Sequence, residues 1–151
     1  MTITNRNSAL YLSAWVNKYV QDARDILGAG LIIPFSHTVV SGETGGASAN
    51  VQDTVNLCVL PANCLVVGFN ARNEAMGASA GVGCTFDIGD SGDSDRYASI
   101  DVDAAGATES LLFTGLLYKP SADTIVLGKW KVANPIVGKI IKGFFLVAPA
   151  G

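Results

Sequence analysis

From residue 31 onward, apolar residues recur at every second position in short runs, and the runs are separated by clusters of Gly, Pro, Ser and Asp. A side-chain period of two belongs to strands, whose successive residues point to opposite faces. TVNLCVL (54–60) sets Val55, Leu57 and Val59 on one face. CLVVGFNAR (64–72) sets Leu65, Val67 and Phe69 inward, with Gly68, Asn70 and Arg72 outward. Further runs fall at 31–40, 84–88, 99–102, 110–118, 123–132 and 136–148. Pro34 interrupts the first of them and suits an edge or a bend. The stretches 41–53 and 76–83 are rich in Gly, Ser and Ala without periodicity and read as surface connections. Short strands joined by turn-rich links predict a mainly β protein, a jelly-roll-like antiparallel β-sandwich.

The first thirty residues follow a different rule. Residues 1–8 are polar and read as an arm. Between 9 and 27, Leu12, Trp15, Val16, Tyr19, Ala23, Ile26 and Leu27 recur at steps of three and four, the pattern of one amphipathic helix. Ser8 stands where an N-cap belongs and Gly28 where the helix would end. The change of period at Gly28–Gly30 divides the chain into an arm and helix (1–30) and a β-sandwich domain (31–151).

Two runs do not alternate apolar with polar. In IVGKIIKGFFLV, Ile136, Ile140, Phe144 and Leu146 share one face and Val137, Ile141, Phe145 and Val147 the other. SLLFTGLLY (110–118) is also apolar on both sides. A strand with two apolar faces needs cover on both, and either the helix or a neighbouring subunit supplies it. Composition points the same way. The chain of 151 residues is 49% hydrophobic and only 15% charged, with a mean hydropathy of +0.36. Soluble domains average about 25% charged residues, and surplus apolar surface marks interaction sites. Trp15, Tyr19, Val137, Ile141 and Phe145 are therefore the candidate interface residues, between copies of the chain or against another protein.

Charge and motifs narrow the function classes. A net charge of -3 and a pI near 4.9 argue against nucleic acid as a partner. No run approaches the ~18–20 apolar residues of a spanning helix, and the start of the chain lacks the apolar core of a secretory signal. Cys58, Cys64 and Cys84 are too few and too irregular for a disulfide framework and read as buried thiols. His37 is the single histidine, with no second His or Cys at zinc-ligand spacing. No nucleophile elbow or phosphate loop is present. The segment CTFDIGDSGDSDRYASIDVDAAG (84–106) holds six aspartates around Arg96-Tyr97. Calcium is one reading, although the spacing is not that of an EF-hand. The other is a structural turn of Asp90, Asp93, Asp95, Arg96 and Tyr97, with aspartates capping the backbone and one of them paired to Arg96.

The ordered pieces VNLCVLPANCLVVGFNAR, FDIGDSGDSDRYAS, DVDAAGA, Leu117-Tyr118, DTIVL and the closing FFLV resemble the small β-sandwich head decoration, or cement, proteins of tailed bacteriophages. The resemblance covers roughly the last two thirds of the chain, and residues 1–50 have no counterpart in it. It implies a protein without catalysis or cofactor, made in the bacterial host cytoplasm, that forms a trimer or other ring on the capsid exterior. There it would clamp adjacent subunits of the phage major capsid protein. The alternative is a carbohydrate- or receptor-binding β-sandwich module of a virion fibre or tail, with Trp15, Tyr118 and Trp130 as stacking platforms.

Overall fold

A computed structural model of the protein describes residues 5–7, 30–45, 54–76 and 83–150. The helix expected over 9–27, with Trp15 and Tyr19 on it, lies outside the described residues. Among the described residues nine strands form two sheets. They are β1 (Asn5–Asn7), β2 (Leu31–Thr38), β3 (Thr54–Leu60), β4 (Cys64–Asn73), β5 (Thr85–Gly89), β6 (Ala98–Asp101), β7 (Gly106–Thr108), β8 (Thr124–Lys131) and β9 (Ile140–Pro149). The first sheet has the order β1-β3-β8-β5-β6 and the second β2-β9-β4-β7. All pairings are antiparallel except β1 with β3. Asn5–Asn7, read from sequence as part of a polar arm, instead extends the edge of the first sheet. From β2 onward the chain changes sheet at every connection except the β5–β6 hairpin.

The two sheets form a β-sandwich around one core. Phe35, Phe69 and Phe145 cluster on the inner face of the second sheet, with ring centroids 5.1–6.1 Å apart. Phe86 and Trp130 pack 4.2 Å apart on the inner face of the first. Tyr97, whose N–H bonds the Ile88 carbonyl of the first sheet, meets Phe145 of the second edge-on at 5.2 Å and so links the two sheets. Each sheet uses the same device to seat its rings. Gly128 lies on the inner face of β8 directly beneath the Phe86 ring, and Gly143 lies on the inner face of β9 beneath Phe35. A Cβ at either place would overlap the ring, so only glycine lets it lie flat on the strand.

Two bulges revise the inward and outward assignment. β3 shifts register between Asn56 and Cys58, and β4 between Val66 and Gly68. A bulge inserts one residue and resets which side chains face the core. On β3, Val55 lies opposite Gly128 and Cys58 opposite Val126, so Cys58 and Leu60, not Val59, continue the inner face. On β4, Val66 faces inward before the bulge and Phe69 and Ala71 after it, while Leu65 and Val67 are half-buried on the other side. The run 110–118 is not a strand. The second sheet takes only Gly106–Thr108 from this region, and residues 113–117 form a turn.

Candidate functional site

The acidic segment folds into a closed turn between β5 and β6. Asp90 N–H donates to the Asp93 carbonyl at 2.9 Å, and Asp93 N–H returns a bond to Asp90 at 3.3 Å. The Asp90 carboxylate then accepts from the backbone N–H of Gly92 at 2.9 Å and of Asp93 at 3.1 Å. Arg96 donates to it through Nε at 2.6 Å and Nη2 at 3.3 Å, and the Tyr97 hydroxyl at 3.3 Å. The guanidinium also lies 4.0 Å above the Tyr118 ring. Burial works against the Asp90 charge, but the bonds from Arg96, Gly92 and Asp93 and the Arg96 charge outweigh it, and the carboxyl sits below the usual range. Burial first, then Asp90, raises the Tyr97 hydroxyl well above the ordinary tyrosine range. Gly89 lets the turn close on itself, because a Cβ there would strike the Asp93 carbonyl.

Of the five residues assigned to the turn, Asp90, Arg96 and Tyr97 come together in one hydrogen-bonded unit. Asp93 contributes mainly backbone, with its carboxylate 3.5 Å from the Asp95 N–H. Asp90 is already engaged by five donors, which leaves it little capacity for a cation. Among the described residues no group of three or more His, Cys, Asp or Glu side chains is placed to hold a metal.

Two further polar groups escaped sequence reasoning. Glu43 is buried beneath β2 and accepts from His37 Nε2 at 2.9 Å, from Val40 N–H at 2.8 Å and from Trp130 Nε1 at 2.7 Å. Burial opposes its charge, yet the bonds from His37, Val40 and Trp130 and the His37 charge prevail and hold its carboxyl below the usual range. Asp87 is buried on β5, pairs with Lys131 of β8 and accepts from Ser99 Oγ at 2.7 Å. The bond to Asp87 raises the Lys131 ammonium above the usual lysine range. The Trp130 partner of Glu43 and the Lys131 partner of Asp87 lie on another strand far along the chain, and His37 stands six residues from Glu43 with no motif in that run to announce the pair. His37, Glu43 and Asp87 tie strands and loops together. The three cysteines are free and buried. Burial, then Asp103 and Asp101, pushes the Cys84 thiol up to about 11, and burial pushes Cys58 higher still, so neither is an activated nucleophile.

The surface carries the more informative features. The two-faced run of β9 divides as its alternation requires, but with the opposite assignment to the one the interface reading needs. Ile141 and Phe145 are fully buried in the core and take no part in a surface contact, because they fill the space between the sheets. The exposed face of β9 carries Ile140, Phe144 and Leu146. Val137 stands on the preceding turn, 60% exposed. Trp130 is fully buried and Tyr118 lies under Arg96, so neither offers a free stacking platform for a sugar. The most exposed apolar group lies on the turn after β7. Phe113 is 93% exposed, beside exposed Leu112, Leu116 and Leu117.

That turn is firmly built. Leu112 N–H bonds the Tyr97 carbonyl at 2.9 Å, Thr114 Oγ1 bonds the Arg96 carbonyl at 2.8 Å, and Leu117 N–H bonds Val66 at 2.8 Å. Gly115 N–H and Leu116 N–H both return to the Leu112 carbonyl. Leu117 takes a left-handed conformation, φ 60°, to complete it. Arg96 thus joins the acidic turn to the base of an apolar knob.

Solved structures place this architecture. A chain of the cyanophage Pam1 capsid asymmetric unit matches with a TM-score of 0.61 at 20% identity, over 82% of this chain and 88% of that one. A chain of the capsid of Ralstonia phage GP4 matches with a TM-score of 0.66 at 20% identity, over 84% and 88%. The chain shares its fold with proteins of phage capsids. A third match, in the acid-stable capsid of the Helicobacter pylori bacteriophage KHP30, has a TM-score of 0.55 at 16% identity over 80% and 88%. Because most of both partners is covered each time, the matched capsid chains are close to this one in length. No protein-family model and no curated protein matches the sequence.

Proposed function

We propose that the protein is a structural component of a phage head, a jelly-roll decoration or cement protein without enzymatic activity. In this reading it sits on the capsid exterior, assembles with itself as a trimer and bridges neighbouring major capsid subunits. The observation that carries the reading is the match to phage capsid chains of similar size over 80–84% of this chain. The strand order supports it, since two four-stranded sets, β2-β9-β4-β7 and β3-β8-β5-β6, interleave as two Greek keys do in a jelly roll. Surface character supports it as well, because large exposed apolar residues held on ordered backbone suit a protein whose working state is an assembly. The polar clusters are consumed by internal hydrogen bonds, as a scaffold requires and an active site does not. Gold-labelled antibody against the chain, applied to intact virions, is expected to decorate heads uniformly. Label confined to tails or fibres would favour the receptor-binding alternative and overturn this one.

A further inference from the structure

The solvent face of the second sheet is ordered in rungs that cross three strands. Ile32, Leu146 and Gly68 form one rung, Pro34, Phe144 and Asn70 the next, and Ser36, Lys142 and Arg72 the third. The last two rungs line a shallow groove of about 410 Å³. Its apolar end, Pro34 and Phe144, is solvent-exposed, and Ile32 of the neighbouring rung, 59% exposed, extends the apolar strip beyond it. At its other end Lys142 and Arg72 stand directly opposite each other, a placement of like charges that weakens a strand pair. Neither side chain has an ion-pair or hydrogen-bond partner among the described residues. The carboxylate just past the end of β4, Glu74, accepts from the backbone N–H of Ile140 at 2.8 Å.

The complement of this groove is present on the same chain. The knob after β7 offers an aromatic side chain, Phe113, almost wholly in solvent on a turn pinned by hydrogen bonds. At its base stands Glu109, exposed and with no ion pair among the described residues. One apolar plug beside one carboxylate matches one apolar groove beside two cations. The knob stands at the edge of the sheet, beside β4, while the groove opens on the sheet's face. The two surfaces differ, so contact between copies is head-to-tail, and repeated head-to-tail contact closes into a ring when the rotation permits.

We infer that the Phe113 knob of one copy seats in the Pro34–Phe144 groove of the next, with Glu109 answering Arg72 and Lys142, and that this contact builds the ring. The inference rests on the self-assembly part of the proposed function and adds the surfaces that carry it. Fully burying a phenylalanine removes a large apolar area from water, and the charges set register and direction more than strength. Two cations beside an apolar strip are too few to track a phosphate backbone.

The test is a cysteine cross-link in the full chain. Leu112→Cys on the knob with Ser36→Cys on the groove, which leave Phe113 and Phe144 in place, is expected after mild oxidation to give covalent dimers and higher ring species on a non-reducing gel, whereas either single substitution gives none of the ring species. The native thiols are buried and do not compete. In parallel, Phe113→Ser and the charge reversal Arg72→Glu with Lys142→Glu are expected to weaken self-association by at least about tenfold in sedimentation equilibrium, with unchanged near-ultraviolet circular dichroism. A wild-type chain that is monomeric at all concentrations overturns the self-assembly reading itself. A wild-type oligomer that neither cross-links nor responds to the substitutions overturns this inference alone. Loss of capsid binding with the oligomer intact also overturns it and assigns the knob to the shell protein. Where Phe113→Ser misfolds, Phe113→Tyr and Glu109→Lys decide: the first is expected to keep the ring and the second to weaken it.

Discussion

Asp90 draws five hydrogen-bond donors into one carboxylate, two of them from Arg96. The guanidinium is the sole cation between Asp87 and Glu109 in the sequence and is only 17% exposed. Its removal leaves a nearly buried carboxylate with one charged partner fewer and strips the cover from Tyr118. Arg96→Ala is expected to lower stability by about 1–3 kcal/mol in urea melts; an unchanged midpoint would mean the turn is held by its backbone alone. Glu43 provides a second test at this scale, through pH. Its folded pKa, like that of Asp90, is depressed, so each group contributes stability that is complete above its unfolded value and is lost as pH falls through the folded one. Ordinary Glu and Asp titrate near about 4.3 and 3.9. The melting temperature is therefore expected to fall below about pH 4.5, and Glu43→Gln to give a shallower acid limb than wild type. Equal acid slopes would contradict the role given to the His37–Glu43–Trp130 group.

Among the elements, the strands are where sequence and structure can be compared most closely. The runs at 54–60, 64–72, 84–88, 99–102 and 123–132 appear within a residue or two of their expected ends, because alternation is a local signal. The two bulges are not local. Leu57-Cys58 and Val66-Val67 are apolar on both sides of the insertion, so the sequence looks regular through the shift while the register does not. The run 110–118 misleads for a related reason. Leu111 and Tyr118 touch the core and the residues between them form an exposed knob, a pattern that an apolar count cannot distinguish from a two-faced strand. That Arg96 pairs with one of the aspartates was legible, since a lone cation among carboxylates has few other uses, but the choice of Asp90 was not. A histidine satisfied by local hydrogen bonds was also legible, but not Glu43 as its partner, and Asp87 with Lys131 was not legible at all, since the two lie on different strands. Gly128 tests the packing at this scale. Gly128→Ala pushes a methyl group into the Phe86 ring and is expected to cost about 1–3 kcal/mol, measured by urea unfolding. A neutral result would show that the ring moves freely and that the glycine does not seat it.

At the scale of the whole molecule, the described residues combine a closed, polar-braced sandwich with apolar residues left in solvent on ordered backbone. The hydrophobic excess in composition has two destinations. Among the described residues most of it fills the core between the sheets, and a second part is exposed, chiefly on β2, β9, the turn before β9 and the knob. A lone domain gains nothing from that second part, whereas a protein that works as one piece of a shell does. The proposed place in a shell draws on two separate starting points, a resemblance carried by short motifs and a fold shared with phage capsid chains. The measurement that bears most directly on it is sedimentation of the purified chain with phage heads that lack it. The account predicts that the chain pellets with the heads, saturating at a fixed copy number that is a multiple of three. A chain that stays in the supernatant while bare heads pellet would contradict it.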